Sequence, residues 1–148
     1  MDKEKIVSEL NSLITKNYDA EEGYKKVADK SDNPVLRSYY LNKSSNRYTY
    51  GHQIKDLIAD LGGEVEKGTS AAGDLHRTWI DLKALFSFHI EEALLEEVER
   101  GEAASLHDYD EFLKLEDLPT NVRRVISYQR HNIARSLRQA DKLEDQVD

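Results

Sequence analysis

Proline stands at only two positions in this chain, Pro34 and Pro119, and the long stretches around them carry little else that would interrupt a helix. Proline fits the first turn of a helix and breaks its interior, so each one marks a boundary. Along these stretches apolar residues recur at three and four, the period of one helical face. From about residue 2 to 30 that face is Ile6, Leu10, Leu13, Ile14, Tyr24, Val27 and Ala28. Ser31-Asp32-Asn33-Pro34 then supplies cap residues and a stop followed by a start. From 34 to 61 the face is Leu36, Tyr39, Tyr40, Tyr50, Ile54, Leu57, Ile58 and Leu61, closed by Gly62-Gly63. Residues 64–73 are polar and read as a loop. A short amphipathic helix follows over 74–85, with Leu75, Trp79, Leu82 and Phe86 on one side. A third long helix spans 89–115, facing inward with Leu94, Leu95, Val98, Ser105, Tyr109, Phe112 and Leu113. The fourth spans 119–145, with Pro119 in its first turn and Val122, Val125, Ile126, Ile133, Leu137, Ala140 and Leu143 inward.

The fold class is therefore all-α, a single domain over 1–148 with no strand pattern. Each long helix is roughly 40 Å at 1.5 Å per residue. The first and third connections are short, so each joins antiparallel neighbours. The middle one is long enough to return along the bundle and contains the short helix. Two antiparallel helical hairpins joined by one long crossover are the ferritin-like four-helix pattern.

Composition narrows the chemistry. Cysteine is absent, which excludes disulfides, thiol catalysis and Cys-ligated metal. With 29 acidic and 21 basic side chains the net charge is −8, which weighs against nucleic acid or an anionic membrane as a partner. No apolar run approaches the ~20 residues of a membrane span. Met1-Asp2-Lys3-Glu4-Lys5 lacks the apolar stretch of a signal peptide. A cytoplasmic location is the expectation.

Several short runs carry a family resemblance. Leu75-His76-Arg77-Thr78-Trp79-Ile80-Asp81-Leu82-Lys83 is followed by Glu96-Glu97-Val98-Glu99-Arg100-Gly101-Glu102 and by Asp117-Leu118-Pro119, with Leu61-Gly62-Gly63 before them all. In order and spacing the chain resembles a bacterial family of four-helix-bundle proteins of unknown function in the ferritin-like superfamily. The resemblance covers nearly the whole chain and implies a fold, not an activity. Glu99, Arg100, Gly101 and Glu102 match the family with no catalytic role attached.

A ferritin-like bundle raises the question of a carboxylate-bridged di-iron or di-manganese site. That site needs a Glu from each of two helices and a Glu-x-x-His from each of the other two. Three residues before His52, His76, His89, His107 and His131 stand Thr49, Gly73, Phe86, Ala104 and Tyr128, so the motif is absent. Helical phase also turns His52 and His131 away from their apolar stripes. The inward polar positions are Asn17 and Glu21, Lys43 and Arg47, Glu102 and Ser105, and Gln129 and Ser136. Pairing the hairpins about their turns puts Asn17, Arg47, Glu102 and Gln129 near mid-bundle. A guanidinium cannot be deprotonated there. It repels a cation and pairs with a carboxylate, Glu102 or else Glu21.

The expectation is thus a buried polar layer of Asn17, Glu21, Arg47, Glu102 and Gln129 in place of a metal site, with no catalytic or cofactor-binding residue. Two alternatives stay open: an anion or small-ligand site around Lys43 and Arg47, and a metal held by Glu21, Glu102 and water. The carboxylates Glu91, Glu92, Glu96, Glu97, Glu99 and Glu102 read mostly as a solvated helix face, and His107 with Glu111 as an ordinary i, i+4 pair. The eight tyrosines read as core and boundary packing. Trp79, Phe86 and Phe88 cover the bundle or serve a symmetric dimer. Two functions follow. The first is a non-catalytic structural or stress-associated interaction protein, acting on an unknown protein partner or on itself as a homodimer. The second is a degenerate iron- or manganese-binding protein or oxidase.

Overall fold

A computed structural model describes residues 1–66, 79 and 89–147. It contains four long helices: α1 (Lys3–Lys30), α2 (Pro34–Asp60), α3 (Ile90–Leu113) and α4 (Thr120–Glu144). No strand occurs among the described residues. The short helix expected over 74–85 lies outside them, apart from Trp79.

The helix ends follow local chemistry. The Asp2 side chain accepts from the Lys5 amide at 3.1 Å and so caps α1 from outside it. Asn33 accepts from the Val35 and Leu36 amides at 2.9 and 3.2 Å, with Pro34 beginning α2. Gly62 adopts φ 72°, and the Gly63 and Gly62 amides bond back to the Ile58 and Ala59 carbonyls, which closes α2. Pro119 is not in the first turn of α4. With ψ 146° it is the extended residue before the helix, and Thr120 begins it. α3 stops at Leu113, two residues short of the expected end; the chain then turns back through Asp117 at φ 58°.

Side-chain bonds fix the helix directions. Ser31, just past α1, donates to the Glu91 carboxylate in the first turn of α3 at 2.8 Å. At the other end the Met1 ammonium lies 3.9 Å from Asp117, past the end of α3. α3 therefore runs antiparallel to α1 and parallel to α2. Tyr39 donates to the Ser136 carbonyl at 3.2 Å and Gln129 to the Tyr50 carbonyl at 3.3 Å, so α2 and α4 are antiparallel. α1 packs closely on α2, and α3 on α4; the α1–α3 and α2–α4 seams are looser. α2 and α3 face each other across the diagonal. α2 ends at one end of the bundle and α3 begins at the other. No helix among the described residues is long and apolar enough to cross a membrane.

The core falls into two apolar clusters. One holds Leu10, Ile14, Ile54, Ile58, Phe112 and Ile126. The other holds Tyr24, Val27, Leu36, Tyr40, Leu94 and Val98. On α1, α2 and α3 the gap between them is occupied by Asn17, Arg47 and Glu102, all buried.

Candidate functional site

The gap between the clusters is a polar layer that draws on all four helices. Arg47 on α2 is 2% exposed and Glu102 on α3 is 1% exposed. One Arg47 nitrogen, Nη2, donates to Glu102 Oε1, and the other, Nη1, donates to Asn17 Oδ1 at 2.9 Å. The Asn17 amide then donates twice, to the Leu13 carbonyl and to the Tyr109 hydroxyl, both at 2.8 Å. Tyr109 in turn donates a hydrogen bond from its hydroxyl to Gln129 Oε1 at 2.7 Å. Gln129 donates to the Tyr50 carbonyl at 3.3 Å and to Gln53 Oε1 at 2.9 Å. Both amide N–H groups of Asn17 and of Gln129 are used and both oxygens accept. The chain thus has one consistent direction, with the Asn17 and Gln129 amides both satisfied. Burial, opposed by the Arg47 charge and the Asn17 hydrogen bond, raises the Tyr109 phenol far above its usual range, so it stays a neutral link.

Glu21 is not in this layer. Its carboxylate is 16% exposed and pairs with Lys25 at 3.3 Å, although Ser44 on α2 donates to the Glu21 carbonyl at 3.0 Å. Lys43 is half-buried beside the α2–α4 seam. His52 and His131 are exposed. Glu111 pairs with Lys114 at 2.9 Å. The acidic face of α3 is less solvated than the sequence suggests. Glu97 is buried and bonded to Arg100, Glu91 holds Ser31, and Glu102 lies inside.

Tyr109 and Gln53 are links that helical phase did not single out, because phase marks Tyr109 only as core. The sequence laid Trp79 over the bundle, but its seat there was hidden. Trp79 is 3% exposed and lies against two mid-helix glycines, Gly23 of α1 and Gly101 of α3. A Cβ at Gly23 would come within 2.3 Å of the indole, and one at Gly101 within 2.5 Å. Glycine in a helix interior costs about 1 kcal/mol against alanine, and here it admits a large ring. The Trp79 ring centre is 4.9 Å from that of Tyr24. Tyr24 is fully buried, and its hydroxyl has no hydrogen-bond partner among the described residues. Burial, and then the nearby Glu102 charge, push this phenol well above its usual pKa. Trp79, Tyr24, Gly101 and Glu102 thus form one wall of the polar layer.

The layer does not fit a carboxylate-bridged metal pair. Among the described residues its one carboxylate is engaged by a permanently charged guanidinium, and its remaining groups are amides and a phenol. Among the described residues, the carboxylate groups close enough to share an ion lie on the α3–α4 seam. They are Glu92, Glu96 and Glu144, and Glu99, Asp141 and Glu144, with oxygens within 4.8 Å of one another.

Residues 5–115 match a family model described as a domain of unknown function, DUF2383. The chain belongs to that family. The match takes in Asn17, Arg47, Glu102 and Tyr109, along with Gly23, Trp79 and Gly101. It ends before α4, so Gln129 lies beyond it. No curated protein matches the chain.

Proposed function

We propose that this chain is a ferritin-like four-helix bundle that acts by binding rather than by catalysis, with an internal ion pair where related bundles hold metal. The ferritin-like reading rests on the opposite placement of the α2 end and the α3 start, which a long crossover would join. The single observation that carries the non-catalytic reading is the buried Arg47 bonded to both Glu102 and Asn17. A guanidinium keeps its charge at any accessible pH. A divalent ion at that height would face the guanidinium charge in a low-dielectric core, with Glu102 already engaged by it. The protein would then serve as a cytoplasmic structural or stress-associated interaction module, with itself or another protein as partner.

The rival reading is a degenerate iron or manganese protein. It draws on the carboxylate groups that meet at Glu144. Those groups lack histidine and lie partly in solvent, which suits weak exchange with divalent ions better than oxidase chemistry. Metal analysis separates the two. Untagged protein purified from cells grown with added iron and manganese is expected to carry far less than one ion per chain. Near-stoichiometric iron or manganese would sink the proposal.

A further inference from the structure

The seams of the bundle are polar, but that between α2 and α4 differs from the others in its charge: the α1–α3 seam holds Asp19 and Asp108 and the α3–α4 seam a group of carboxylates. The α2–α4 seam forms an open groove of about 360 Å³, within the range of small-molecule sites, in which Lys43 is half-buried and Arg135 exposed. Lys43, Asn46 and Gln53 line it from α2, and Asn132, Arg135 and Gln139 from α4. These positions share one face of each helix at spacings of three, four and seven. Two facing helices in a bundle ordinarily close their seam with aliphatic side chains. Here they face each other with amides and cations, and pack loosely.

The lining holds two cations and no carboxylate, in a protein with net charge −8. Neither Lys43 nor Arg135 has an ion-pair partner among the described residues. Lys43 reaches only the face of Tyr39, at 5.4 Å. Burial lowers the Lys43 pKa; the Glu102 charge opposes this, while Arg135 and Arg47 add to it. Lys43 is therefore a partly desolvated cation that an anion would relieve, with the exposed Arg135 beside it as a second donor. Both ends are fixed by bonds between the helices. Tyr39 to Ser136 closes one end, and Gln129 to Gln53 joins the other to the buried polar layer.

We propose that this seam is a binding site for a small organic anion, whose phosphate or carboxylate head group lies between Lys43 and Arg135. The amides of Asn46, Asn132 and Gln139 supply further donors to its oxygens, and Tyr128 at the rim offers a face for its body. The site is independent of the metal question, since its residues lie outside the Arg47–Glu102 pair.

The test is a ¹H–¹⁵N NMR titration of the full chain with inorganic phosphate and, separately, with succinate, each at constant ionic strength against chloride. The expected result is saturable shifts along the α2–α4 seam from at least one titrant. A response to phosphate alone assigns a phosphorylated ligand, and to succinate alone a carboxylate. Lys43→Gln and Arg135→Gln are each expected to weaken that binding by about tenfold or more, the loss for one charge-assisted hydrogen bond. The exposed Arg123→Gln is expected to leave it unchanged. If neither titrant gives saturable seam shifts in the wild-type chain, or if binding survives both seam substitutions, the proposal is overturned. The wild-type titration decides the question even if a variant fails to fold.

Discussion

Arg47 and Glu102 are bonded across a diagonal of the bundle, between α2 and α3, two long helices that share no close seam. An arginine side chain is long enough to cross that core, and its planar head leaves a nitrogen free to hold Asn17 on α1 as well. Three helices are thereby held in one register by one side chain.

Arg47→Met is expected to destabilise the fold by about 3–5 kcal/mol, because it leaves Glu102 charged and unpaired in the core. Arg47→Met combined with Glu102→Leu is expected to recover most of that loss. Urea denaturation of the two variants provides the comparison. A double variant no more stable than the single would show that stranded charge is not the cause.

Tyr109→Phe removes one hydroxyl and leaves two groups without a partner, an Asn17 N–H and Gln129 Oε1. A loss of about 1–3 kcal/mol is expected. Leu13→Ala, a cavity in the adjacent apolar cluster, keeps the network intact. The two losses are expected to fall short of additivity only if the network and that cluster are coupled. Thermal and urea unfolding of both single variants and the double measure this.

Gly101→Ala is expected to destabilise the protein even though alanine favours the helix by about 1 kcal/mol. The new methyl would meet the Trp79 indole, and the ring must leave its seat. Trp79→Ala is expected to cost roughly 3–5 kcal/mol as a large buried truncation. Trp79 is the sole tryptophan, so its emission reads the seat directly. Native emission should be blue-shifted in the wild type and move to the red in Gly101→Ala. Unchanged emission in that variant would contradict the seating.

The Glu99 carboxyl is raised to about 8, by burial first and then by the carboxylates of Glu144 and Asp141. The folded protein therefore holds a proton that the unfolded chain, titrating near 4.5, has already released. Stability from this group is complete below about pH 4.5 and is lost as pH rises through about 8. Glu99→Gln is expected to flatten the decline in stability between those values. Chemical unfolding of both proteins across that range gives the slopes, and parallel slopes would refute the assignment.

Helix number, the cap in the Ser31–Pro34 stretch, the Gly62 stop and the inward direction of each helix were legible in the sequence, whereas Asp2, expected at the start of α1, caps it from outside. All of them follow from local rules, a period of 3.6 and the needs of a few backbone amides. The same period turns Arg47 inward, because Tyr40, Ile54 and Ile58 define the buried side on both sides of it. The end of α3 and the place of Pro119 were less legible, since a turn through a left-handed Asp117 leaves no periodic trace. Phase could not choose between Glu21 and Glu102 for Arg47. Both lie inward by angle, but Glu21 turns along its own helix to Lys25 while Glu102 faces Arg47 across the diagonal. Nor could phase reveal that Gly23, Trp79 and Gly101 meet, or that Asn132 and Arg135 face Lys43. Angle about a helix axis is a property of one helix. Which helices are neighbours, and how far each slides along the next, is fixed only when the apolar faces pack together, and that packing decided every contact between helices in the polar layer.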